Sequence, residues 1–88
     1  MSDNETPKTQ TDYLRDVTSQ LKEMRHYAQS NTETLSAHWL AFDAGEYKNQ
    51  AFAAAINDLL TQQGAVLETL EKTVQDLEIE ANRIENEA

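Results

Sequence analysis

Apolar residues recur in this chain at alternating spacings of three and four, and that heptad constrains its fold more than any other feature. From the start, Leu14, Val17, Leu21, Met24, Ala28, Asn31, Leu35, His38 and Phe42 keep the pattern. It resumes in Ile56, Leu60, Gln63, Leu67, Leu70, Val74, Leu77, Ala81 and Ile84. A second row, Phe52, Leu59 and Val66, runs beside the later seam and turns polar at Thr73 and Glu80. The spacing predicts two long helices, and Ala, Glu, Gln, Leu and Lys supply the propensity for them.

Punctuation is sparse, with two Gly and one Pro. Residues 1–10 are polar, carry Pro7 and read as a flexible N-terminal arm. Thr9-Gln10-Thr11-Asp12 fits a capping box, so helix 1 is expected over about residues 11–40. Asp43, with Glu46 three residues on, reads as the N-cap of a second helix over about residues 44–86. The turn is then 40–43, and so short a connection makes the helices antiparallel neighbours within one domain, residues 11–88. The expected fold is all-α: an antiparallel two-helix hairpin that dimerises into a four-helix bundle.

Length arithmetic points the same way. Helix 1 would be about 45 Å long and helix 2 about 64 Å. Folded at residue 42, Leu14 reaches Leu70, and the stripe from Val74 to Ile84 is left without a partner inside the chain. A second molecule is therefore expected on Leu59, Val66, Leu70, Val74, Leu77, Ala81 and Ile84. An 88-residue chain without cysteine has no disulfide to supplement a small core, so help from a partner subunit is in keeping with its size.

Charge narrows the partners. With 7 Lys+Arg against 16 Asp+Glu, the net charge is −9, which disfavours nucleic acid and anionic membrane surfaces. The longest apolar run, Ala51–Ile56, is too short for membrane insertion. The opening Met1-Ser2-Asp3-Asn4-Glu5 is polar and does not read as a cleavable signal.

Catalytic constellations are hard to build from these residues. His26 and His38 lie about 18 Å apart along one helix and cannot share a metal. A di-metal carboxylate site needs inward-facing Glu-x-x-His motifs from more than one helix, which the chain does not offer. The acids of the second helix, among them Glu68, Glu71 and Glu78, read as a solvated face, with Glu71–Lys72 and Glu80–Arg83 as local pairs. His38, on the seam, reads as a half-buried interface histidine. No enzyme activity, cofactor or metal is expected. The aromatics are more informative: Trp39, Phe42, Tyr47 and Phe52 gather near the turn, where they would plug the hairpin end and could share that plug with a partner.

These features together resemble the WXG family, the small acidic helical hairpins exported by type VII secretion systems. The resemblance rests on the length, the N-terminus that does not read as a signal peptide, Trp39 near mid-chain at the end of helix 1, the small Ala41 two positions later, and Tyr47 eight residues after the Trp with Phe52 further on; Trp39, Ala41, Phe42, Asp43 and Tyr47 make the turn motif. It covers Tyr13 to Ile84 by pattern. The turn reads Trp39-Leu40-Ala41 instead of Trp-x-Gly, and the family's Tyr-x-x-x-Asp/Glu export signal is missing, since no aromatic follows Phe52. The resemblance implies a divergent member, similar to the small helical proteins that accompany LXG effectors. It implies binding without catalysis, as a secreted substrate or effector-targeting partner. Its partner would be itself, a homologous small helical protein, or the helical N-terminal domain of an effector. It also implies residence in the cytoplasm before export without a cleaved signal. The alternatives are a cytosolic helical chaperone or adaptor of another secretion apparatus, and a structural coiled-coil subunit.

Overall fold

The computed structural model describes residues 9–87 and consists of two α-helices, α1 (Gln10–Asp43) and α2 (Gln50–Glu87), packed as an antiparallel hairpin. Most of the expected N-terminal arm lies outside the described residues. The hairpin is one layer of helices, 59 × 31 × 14 Å in extent. Its radius of gyration is 19.5 Å, against about 12 Å for a compact domain of this length.

α1 starts where its cap chemistry dictates. Thr9 is extended, and its hydroxyl accepts the Asp12 N–H at 3.0 Å. The far end differs from expectation. Asp43 does not cap the second helix; it is the last residue of α1. The connection is 44–49, not 40–43, and Asn49 is the cap: its side-chain oxygen accepts the Phe52 N–H at 3.0 Å. Gly45 helps explain the choice. A Cβ there would lie 3.0 Å from both the Cα and the carbonyl oxygen of Ala41, so the chain needs glycine as it leaves α1. The Asn49 N–H then returns to the Phe42 carbonyl at 2.8 Å and closes the connection.

Moving a hinge along a chain moves every facing pair by twice as much. Here Arg15 reaches Asn82 and Glu85, and Lys22 reaches Glu78, so Leu14 lies opposite the end of α2 and not opposite Leu70. The stripe expected to await a second molecule is thus covered by α1. Val74 is 3% exposed and Ala81 1%; Leu70 is also buried, and Leu77 and Ile84 are half-buried. The inference that Leu70, Val74, Leu77, Ala81 and Ile84 form a partner surface is corrected: they make the core.

That core is thin. Its buried members are Ala28, Ala53, Leu70, Val74, Ala81 and Thr18, and four of these six are alanine or threonine, which let the helices approach closely. The inward row of α1 is Leu14, Thr18, Leu21, Arg25, Ala28, Thr32, Leu35, Trp39 and Phe42. Three of the nine expected seam positions are therefore displaced by one residue, while Val17 stays half-buried beside Thr18. Thr18 and Thr32 take inward places because each hydroxyl donates to a carbonyl of its own helix, Leu14 at 2.8 Å and Ala28 at 2.9 Å. Met24, Asn31 and His38 rotate out to solvent.

Candidate functional site

That rotation creates a second surface. Met24, Asn31 and His38 form a row along α1; Phe52, Leu59 and Val66 form a row along α2, and all six are exposed. Four of the six, Met24, Asn31, Leu59 and Val66, line one groove. Leu59 lines it together with Asn31, Leu35 and Gln63. The next stretch is lined by Met24, Tyr27 and Val66 and shares Asn31 and Gln63 with the first. Toward the turn, Phe42 and Phe52 meet edge to face, their ring centroids 5.4 Å apart.

No member of either row carries a formal charge. Asp58 is the sole charged residue between Lys48 and Glu68. It sits about 100° round the helix from Leu59, on the side away from the seam. On the groove floor, the side-chain oxygen of Gln63 is buried without a hydrogen-bond partner. Leu59 and Val66 are each 45% exposed, whereas Thr73 and Glu80, which continue their row, are half-buried. The apolar members of this row are its wettest.

The aromatic turn motif is brought together in part. Trp39, Ala41, Phe42 and Asp43 are half-buried, and Trp39 lies along Asp43, Gln50 and Ala53 on another stretch of surface. The Asp43 carbonyl accepts from the Gln50 side chain at 3.1 Å. Tyr47 stands apart in the connection, 68% exposed. His38, expected to be half-buried, is exposed.

Charge collects at the opposite, open end. Lys22 reaches Glu78 across the helices at 2.7 Å. Its hydrogen bond, and then its charge with those of Arg25 and Arg15, holds the Glu78 carboxyl below its ordinary range. Arg83 bonds Glu80 and Glu87; its hydrogen bond lowers the Glu80 pKa, and both acids raise that of Arg83. The Glu80–Arg83 pair forms as expected. Lys72 instead pairs with Asp76 at 2.9 Å, because residues one apart on a helix do not face each other.

A lone Glu-x-x-His spacing does occur, Glu23 with His26, but both side chains are exposed, and the His26 ring lies edge-on to Tyr27. Among the described residues, no group of three or more His, Asp or Glu side chains is placed to hold a metal, and no helix is long and apolar enough to cross a membrane. No known family model, curated protein or solved structure matches this chain.

Proposed function

We propose that this chain is a non-catalytic protein–protein interaction module whose docking surface is the uncharged double row at the turn half of the hairpin. One observation carries the reading: Met24, Phe52, Leu59 and Val66 stay wet on a charge-free groove while the chain's charges gather elsewhere. Two parallel rows at heptad spacing suit a partner that is itself a helix or helical hairpin.

The resemblance of the Trp39–Tyr47 region to WXG proteins supplies the setting. In it the module serves type VII secretion, as an exported substrate or as the partner that presents an effector to the machinery. The acidic surface keeps such a complex soluble and away from nucleic acid. Export is the discriminating measurement. The protein should appear in the culture supernatant of its source cells only when the type VII ATPase is intact. Leu59→Asp with Val66→Asp should remove it from the supernatant while far-UV circular dichroism still reports a helical hairpin. Strict cytosolic retention with the ATPase present would refute the secretion role and favour a cytosolic adaptor.

A further inference from the structure

We infer that the hairpin carries a hinge across both helices, where Asn31, Thr34 and Leu35 of α1 lie beside Leu59 and Gln63 of α2, and that it opens locally there while both ends stay closed. The hinge stands on the packing of this chain alone, so it holds or fails independently of what docks on the face above it.

Helix propensity has its minimum at this place in both helices. In α1, five of the seven residues from Ser30 to Ser36 are Ser, Asn or Thr, whose side chains compete for backbone hydrogen bonds. In α2, Asn57, Asp58, Thr61 and Gly64 fall within eight residues. Glycine is the poorest of these formers, and a Cβ at Gly64 would meet nothing within 4 Å, so no packing inside the chain calls for it. By contrast, Gln20 to Arg25, in the open half of α1, are good formers without exception.

Burial has its minimum there too. Among the described residues of α2, none between Ala53 and Leu70 is buried, and none of α1 is buried after Ala28. Ile56, Leu60, Leu67 and Leu35 span the gap half-buried. Within the gap the side-chain oxygen of Gln63 is hidden without a hydrogen-bond partner, and any opening that lets water reach it is favoured by its solvation.

The ends are held. Arg15–Glu85 and Lys22–Glu78 bridge the helices over the core of Thr18, Val74 and Ala81. At the turn, Phe42 meets Phe52, Ala53 is buried, and the Gln50 side chain donates to the Asp43 carbonyl. Opening is therefore cheapest between two anchored halves, as local unfolding follows low burial and exposed backbone bonds. The hinge separates Leu59 from Val66 along α2, so bending there turns one half of the uncharged face against the other.

Native-state amide hydrogen exchange on the full chain tests this, with rates corrected for the intrinsic rate of each residue. Residues 31–37 and 60–67 should be protected roughly tenfold less than residues 70–78, and less than residues 54–58 nearer the turn. Gly64→Ala should raise protection about fivefold in both weak segments, the effect of the propensity gap, and leave residues 70–78 unmoved. Ser30→Ala with Ser36→Ala, both on α1, should in turn protect residues 60–67 of α2. Protection that declines steadily from the open end to the turn would mean fraying and overturns the hinge. So does a Gly64→Ala effect spread evenly over the chain, which would mean global opening, or one confined to α2, which would mean that the helices open separately.

Discussion

Val74→Ala decides between the two ways of covering the far end of α2. The side chain is 3% exposed, packed between the helices of one chain. Truncation removes two methyl groups from the core, worth about 0.8 kcal/mol each, plus the energy of an incompletely collapsed cavity, about 2 kcal/mol in all. A chain of this size is stable by only about 4–13 kcal/mol, so the loss is a large fraction of the whole. At about 4–8 °C per kcal/mol for so small a domain, Tm should fall by roughly 8–16 °C. Ile79→Ala removes a larger side chain from an exposed position and should shift stability by less than about 0.5 kcal/mol. Thermal melts followed by circular dichroism at two widely separated protein concentrations make the test. If α1 covers Val74, the difference between parent and Val74→Ala is the same at both. Equal, small shifts for the two variants would refute the packing. A Val74 effect that appears only in concentrated protein would mean that a second chain, not α1, covers the stripe.

Other substitutions probe separate parts of the fold. Gly64→Ala should stabilise by about 1 kcal/mol, because a Cβ there meets nothing within 4 Å in a helix interior; Gly45→Ala should destabilise, because the Ala41 backbone cannot move away. Chemical denaturation of the pair would show opposite signs. Gln63→Leu should gain about 1–2 kcal/mol by removing the unpartnered side-chain oxygen from the groove floor, measured in the same way. The Glu78 carboxyl has its folded pKa below the ordinary 4.5, so its pairing with Lys22 stabilises above that value and is lost as pH falls through the lower folded one. Glu78→Gln should therefore lower Tm at neutral pH and leave it unchanged in strong acid.

The seam of α2 was readable residue by residue from Ile56 to Ile84, because its apolar side chains outnumber every competing pattern. In α1 one row was readable and the other only at Val17, which is half-buried. Leu14, Leu21, Ala28, Leu35 and Phe42 are inward as the spacing predicts. Apolarity favoured Val17 and Met24 for the second row over Thr18 and Arg25, yet threonine buries its methyl cheaply when its hydroxyl bonds its own helix. Trp39, at the same seven-residue recurrence as Thr18, Arg25 and Thr32, was the signal for the right choice. The hinge misled for another reason. Asp43 and Asn49 offer the same capping chemistry, and only the crowding around Gly45 separates them. Of the candidate face, Leu59 and Val66 were legible as a row beside the seam; Met24, Asn31 and His38 needed the rotation of α1 to be seen.

A hairpin alone in water has no reason to arrange its flank as this one does. Along α2 a single row runs through Phe52, Leu59, Val66, Thr73 and Glu80, at one angular position relative to the seam. If solvent were its sole environment, the apolar members would sit where α1 shields them best and the polar members where it shields them least. The order is reversed: the three apolar side chains are exposed, while Thr73 and Glu80 are half-buried. Each exposed apolar side chain forgoes part of the ~1.5–3 kcal/mol that full burial would give it. The open end shows that this chain can meet water with charge, since Lys22, Glu78, Arg15 and Glu85 bridge its helices there. The uncharged flank nearer the turn is therefore the part of the hairpin whose apolar side chains its own partner helix leaves uncovered.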